Sequence, residues 1–495
     1  MNTLGVLAAL ALHGFASFGF GRFALRRTGH ASASAALSVA LGLAMVVVMG
    51  GALNLMRAAA RPSPFVVLGV GTALALTAIP WRTLAQTQLA LRSEAGVYGL
   101  LCLLALLLCA TILPTPTFNY YDDLQKYFAH PVRMLQTGTL RGSSLSALGF
   151  ETLGGQAYLH GFVLSLGQID MLHAADCVFA FLLLLALLGT APSERAAPRW
   201  LAMAAAALIN PQIVNVSATY TAAALGAALV LMQLDAKAGS TGSAVLAGIV
   251  LAALCALKSS LALYALTLGL SLSAARVACA GWLQCARWSG VCAGTTCACV
   301  APWVLVHVPN LQLIAQHRSP VASPSLAAAY SMEPFSWESW GYGTGFAPYT
   351  YALLALCALA ALAFWHTRPR SHVLQVSLWL AVGLALLYVC MLYAIGPVSQ
   401  GELTMLRLFA PMLIGALPAL YVLLSEALTG RSRRAFTLVA VLSIAPLLAF
   451  VPFSLERAQR ALLDGSVFVV ARLDQAPWYR ELNRYMLHGR MKQQV

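Results

Sequence analysis

The chain has 495 residues, of which 60% are hydrophobic and only 9% charged, and its mean hydropathy is +0.78. A water-soluble protein of this length needs a far more polar surface, so the composition excludes an ordinary soluble enzyme and predicts an all-α polytopic membrane protein. The formal net charge of +14 does not call for nucleic acid, because basic residues in membrane proteins commonly hold loops on the cytoplasmic side.

The first stretch, MNTLGVLAALALHGFASFGF, lacks a basic n-region, and Arg22, Arg26 and Arg27 follow it rather than precede it. It reads as a first span and not as a cleaved signal peptide. Apolar length, interrupted by Pro, Gly and charge, predicts spans near residues 3–20, 35–55, 64–80 and 97–114. Further spans are predicted near 171–190, 199–214, 218–234, 243–257, 260–275, 286–306, 348–365, 373–395, 406–428 and 436–452, about fourteen in all. Four short ones form two pairs, turning at NPQIVNVSATY and at Lys258-Ser259-Ser260.

Charge orients this ladder. With the segment after 97–114 outside, the inner loops hold half of the 30 basic residues, including RSRR at 431–434 and HTRPRSH at 366–372. Only four of the 16 acids join them, namely Glu94, Glu194, Asp235 and Glu426. Long segments then fall outside: 115–170, 307–347 and the tail 453–495. Short inner loops and long outer ones place the chemistry on the outer face. Within the first, LGGQAYLHGFVLSLGQ is too polar and Gly-rich for a normal span and predicts an interfacial amphipathic helix or a re-entrant piece. The eleven cysteines give no disulfide framework; Cys292, Cys297 and Cys299 lie in a predicted span with no histidine at zinc-finger spacing.

The polar run NYYDDLQKYFAHPVRM, residues 119–134, directly follows a hydrophobic helix and opens with the adjacent carboxylates Asp122 and Asp123. An acidic pair just after a span, in the first large outward loop, resembles the GT-C glycosyltransferases. These are multispan enzymes that take a sugar from a polyprenyl-phosphate carrier at the outer membrane face. INPQIVNVSATYTAAALGAALVL is similar to that family's Asn-Pro turn and return helix, ALKSSLALYALTLGL to the next helical pair with Lys at its turn, and MLRLFAPMLIGALPAL to its late Arg-aromatic-x-x-Pro helix. The likeness covers roughly residues 97–425. It implies a GT-C-like core at 97–452, preceded by extra N-terminal spans within 1–96 and followed by the outward tail 453–495. The chain departs from the pattern in those extra spans, in Asp123 where Glu is frequent, and in Thr221-Ala222 where the return helix often opens Tyr-x-Asp.

The resemblance implies Asp122 as the general base for an acceptor hydroxyl, with Asp123 as its positioning partner. Adjacent carboxylates oppose each other's ionisation, which favours one perturbed group. The competing reading is a pair that merely starts an interfacial helix. Donor phosphate needs cations, and the candidates are Lys258, Arg407, His317 and Arg318. Snorkelling of Lys258 and a salt bridge from Arg407 to Glu402 are the plain alternatives. Tyr121, Tyr220, Glu333, Trp337 and Glu402 are the candidate sugar-binding residues, with headgroup anchoring the alternative for the aromatics. His130, Glu151 and His160 supply nitrogen and oxygen ligands for a divalent metal, though no spacing demands one and no cofactor is assigned. Asp176 is an intramembrane acid, either functional or bonded to a neighbouring helix.

The expected partners are a polyprenyl-phosphate sugar donor, a lipid, glycan or protein acceptor and membrane lipids, with no nucleic acid. The Ala- and Leu-rich composition suggests a bacterial inner membrane with the site facing the periplasm. Two other classes compete. An O-antigen-type polymerase or ligase would favour arginine-rich outer loops, and a lipid or polysaccharide transporter (flippase) would show matching halves.

Overall fold

The computed structural model describes residues 3–30, 33–78, 95–111, 127–142, 152–166, 172–191, 196–209, 216–234, 239–317, 372–395 and 411–416. The described residues form helices and contain no strand. In chain order they are α1 (Thr3–Arg27), α2 (Ala35–Leu55), α3 (Pro62–Ala78), α4 (Ala95–Thr111), α5 (Ala129–Thr137) and α6 (Gly155–Leu166). A π-helical segment (Ala174–Ala180) leads into α7 (Phe181–Gly189), followed by α8 (Ala196–Ile209) and α9 (Thr219–Leu231). Then come α10 (Thr241–Leu257), α11 (Ser259–Ala280), α12 (Trp282–His317) and α13 (His372–Ile395). Among the described residues, four stretches are long and apolar enough to cross a membrane: Leu7–Arg27, Ala35–Leu55, Leu261–Ala280 and Trp282–Pro309. The described part of the chain is thus all-helical, with membrane-spanning character.

Local chemistry explains several boundaries. Ser34 and Ser240 accept hydrogen bonds from Leu37 N–H and Ser243 N–H, capping α2 and α10. Lys258 is extended (φ −158°, ψ 142°) and breaks α10 from α11, as the Lys-Ser-Ser turn predicts. Three helices clearly overrun their predicted spans. α1 continues past residue 20 to Arg27, α11 continues from 275 to Ala280, and α12 continues from 306 to His317, with Pro302 and Pro309 inside it. A helix ends where its backbone bonds end and not where its apolarity does, so the start of the predicted 307–347 loop is helical.

α2 lies at the centre, packed on α1, α10, α12 and α6, while α9 is buried along its whole length. Small residues let the first two helices touch. A Cβ on Gly21 would overlap the Ser38 carbonyl, and one on Gly42 would overlap the Ser17 carbonyl. Gly42→Val is therefore expected to force α1 from α2 and destabilise the protein by about 3 kcal/mol. Thermal unfolding in detergent measures this, and a variant that melts with the wild type would show the contact to be slack.

The ends of the described helices sort into two groups by the hydrogen bonds that join them. At one end, Arg26 Nη2 donates to Ala78 O (2.7 Å), Arg199 Nη1 to Gly189 O (3.2 Å) and Arg276 Nη2 to Gln233 Oε1 (3.0 Å). At the other, Ala59 N–H donates to Gly138 O (3.0 Å), Leu140 N–H to Asn54 Oδ1 (2.8 Å) and Thr152 Oγ1 to Leu257 O (2.9 Å). His307 Nε2 donates to Leu153 O at 2.8 Å in the same group.

Candidate functional site

The second group of ends is where the polar chemistry gathers. α5 follows the acidic run directly. His130, Pro131 and Met134 point inward from it, and it stops at Gly138, whose left-handed φ of 76° and lack of a Cβ let it sit against the Arg57 carbonyl. Tyr127 and Phe128, just ahead of α5, pack with Leu164 of α6, Leu172 and Val216. Asp123 is four residues before Tyr127 in the sequence and lies outside the described residues.

α6 is the helix predicted from LGGQAYLHGFVLSLGQ. It is enclosed by protein and not laid on a surface: Gln156, Tyr158, His160 and Phe162 are all buried. At twelve residues, about 18 Å, it is too short to cross a bilayer. It runs from the α10–α11 turn, where Gly155 touches Ala256, to the π-helical segment. Gln156 Nε2 lies 3.0 Å from His160 Nε2, and the Tyr127 ring meets the imidazole edge-on at 6.2 Å between centroids.

Burial drives the pKa of His160 down to about 3, with the Tyr127 and Val216 carbonyls opposing the shift and His173 adding to it. His160 is therefore neutral in the native protein. Between its unfolded value of about 6.5 and pH 3 the unfolded chain binds a proton that the native chain does not. This contribution to stability is full above pH 6.5 and declines as the pH falls, by up to about 1.4 kcal/mol per pH unit. His160→Gln is expected to flatten the acid side of a stability–pH profile, measured by thermal unfolding from pH 7.5 to 4.5. An unchanged slope would assign the acid sensitivity to other groups.

Asp176 is the single carboxylate among the described residues, and it is fully buried on the π-helical turn. Its Oδ2 accepts Thr219 N–H (3.1 Å) and Tyr220 N–H (3.0 Å), and its Oδ1 accepts Thr221 N–H (2.8 Å) and Thr221 Oγ1–H (2.7 Å). Those amides belong to the first turn of α9, where an N–H has no carbonyl of its own helix four residues back to donate to. Ala218, at the N-cap position, has no side chain to satisfy them, so a residue 43 positions earlier does so. The positive end of the helix dipole favours a carboxylate there. Of the two readings of Asp176, the structure supports the bond to a neighbouring helix.

Of the predicted site residues, Lys258 and Tyr220 are described. Lys258 is half-buried at the α10–α11 turn beside the start of α6. Tyr220 is buried, its ring against Phe181 at 4.7 Å and its amide on Asp176. His317 ends α12, and its side chain is outside the described set. Tyr121, Asp122, Asp123, Arg318, Glu333, Trp337, Glu402 and Arg407 lie outside the described residues, as do Glu151 and the tail 453–495. Among the described residues no three His, Cys, Asp or Glu side chains gather as a metal-ligand set, which includes Cys292, Cys297 and Cys299. Sequence reading missed Gln156, His173 and Thr152, although polar residues inside a stretch that packs as core were the available signal.

Comparisons with protein-family models, with curated proteins and with solved structures give no match.

Proposed function

We propose that the chain is a GT-C-like membrane glycosyltransferase with about fourteen spans. It moves a sugar from a polyprenyl-phosphate donor to a lipid, glycan or protein acceptor at the outer face of a bacterial inner membrane. Asp122 serves as general base, Asp123 positions it, and Lys258 contributes to the donor-phosphate site.

One observation carries most of this reading. Segments far apart in sequence converge on one end of the bundle: the stretch that follows the acidic pair, the buried helix α6, the Lys258 turn and His307. The same end is the one that the loop lengths and charge bias put outside. A second point favours the acidic pair as base. Both oxygens of Asp176 are engaged by donors, which leaves that carboxylate poorly suited to take a proton from a substrate.

The test pairs wild type with Asp122→Asn and Asp123→Asn, each purified in detergent. Each is given radiolabelled polyprenyl-phosphate sugars and a membrane-lipid extract as acceptor. Transfer that vanishes in an Asp variant while donor binding persists supports the reading. Equal transfer by all three proteins removes the catalytic role of the pair, and no donor binding at all removes the transferase class.

A further inference from the structure

Four arginines stand together at the end of the bundle that holds Lys258, and none of them belongs to the predicted donor site. Arg57 and Arg61 lie on the turn between α2 and α3; Arg133 lies on α5, and Arg141 just after it. The two segments are stitched by backbone bonds, Ala59 N–H to Gly138 O and Arg61 N–H to Leu135 O, both 3.0 Å. Arg133 Nη2 reaches the Arg141 carbonyl at 3.3 Å, while its Nε is buried without a hydrogen-bond partner. Arg57, Arg61 and Arg141 are exposed. No guanidinium of the four meets a carboxylate among the described residues, where the only acid is Asp176, engaged on α9.

Two further features mark the patch. Arg57 has φ +58°, the left-handed conformation that closes α2 and that glycine ordinarily supplies. A non-glycine residue pays in strain to keep a side chain there. Apolar side chains flank the cations instead of water-loving ones: Met56, Phe65 and Val66 are 66%, 47% and 62% exposed. Cations bordered by exposed apolar surface match an amphiphile with an anionic head and a hydrocarbon tail. Guanidinium forks suit phosphate oxygens in particular.

We infer that Arg57, Arg61, Arg133 and Arg141 form a binding surface for a lipid-borne phosphate whose chain lies along Met56, Phe65 and Val66. A polyprenyl-phosphate and an anionic phospholipid present the same chemistry, and the inference does not depend on sugar transfer.

The full chain is placed in phosphatidylcholine nanodiscs and titrated with three probes: a fluorescent polyprenyl monophosphate, fluorescent phosphatidylglycerol, and inorganic phosphate as competitor. Arg57→Gly/Arg61→Gln is compared with wild type. Glycine suits the left-handed turn, so this variant is expected to melt no lower than wild type. A second variant, Arg61→Gln/Arg141→Gln, keeps Arg57 and changes only exposed groups. Each arginine removed is expected to weaken lipid binding about fivefold, hence about 25-fold for either double variant. A larger loss for the polyprenyl probe assigns the surface to the donor lipid, and an equal loss for phosphatidylglycerol assigns it to membrane lipid; both uphold the inference. It is overturned if both variants bind the lipids as wild type does. It is also overturned if neither lipid binds above phosphatidylcholine, or if inorganic phosphate binds as tightly as the lipids.

Discussion

Asp176→Ala is expected to destabilise the protein by about 3–5 kcal/mol. The change removes a buried acceptor from three backbone N–H groups and the Thr221 hydroxyl, and of the three amides Thr219 N–H keeps a bond to the Ser217 carbonyl (2.9 Å). Loss of a hydrogen bond to a charged group costs about 1.5–3 kcal/mol, and the stranded donors add their own desolvation. Asp176→Asn keeps the shape and one acceptor oxygen but turns an amide donor toward donors, so it is expected to fall between. Thr221→Ala removes only the 2.7 Å hydroxyl bond and is expected to cost least, about 1–2 kcal/mol. Unfolding of the three variants in detergent, followed by intrinsic fluorescence, would order them Ala, Asn, then Thr221→Ala from worst to mildest. If all three melt with the wild type, the carboxylate is not the anchor of α9.

A second large effect is expected at the opening acidic pair. If Asp122 is the general base, Asp122→Asn lowers the transfer rate by about 10²–10⁴-fold, the range that a positioned base contributes. Asp123→Asn is expected to cost less, because a positioning partner acts through Asp122, and its loss also shifts the pH profile of transfer. An asparagine keeps nearly the volume and the hydrogen-bonding reach of the acid, so donor binding is expected to survive in both variants. The readout is single-turnover transfer, with donor retention measured in parallel. Loss of transfer together with loss of donor binding would instead place the pair in substrate capture. A drop of less than about threefold in both would leave the pair a helix-start feature.

These two acids show how differently a sequence discloses its carboxylates. Asp122 and Asp123 stand out because they are adjacent, polar and placed at the exit of an apolar run. Asp176 is conspicuous only as an acid within apolar sequence. Its partners, the amides of residues 219–221, carry no side-chain signature, since a backbone N–H is the same in every residue but proline. A bond from Asp176 to a neighbouring helix was one of two readings the sequence allowed, and only the folded chain shows which helix and which amides, 43 residues on, it meets. The arginine surface was hidden for a related reason. Arg57, Arg61, Arg133 and Arg141 look like scattered loop charges in the sequence, and the two segments are brought together by backbone bonds at Gly138 and Leu135 and by the Asn54 side chain on Leu140 N–H.

By itself the sequence determined what depends on composition and short-range pattern. That covers the helical, membrane-spanning character of the described residues and the helix pair split at Lys258. Such features follow from hydrophobic run length and from local breakers, which act over a few residues. It misjudged helix ends, as at Arg27 and His317, because hydrogen bonding carries a helix beyond its apolar stretch. Only the tertiary structure decided that α6 is enclosed and not laid on the surface, that Tyr220 is core, and that Asp176 belongs to α9. Those outcomes rest on which distant groups come within about 3 Å of one another, and no local pattern encodes that distance.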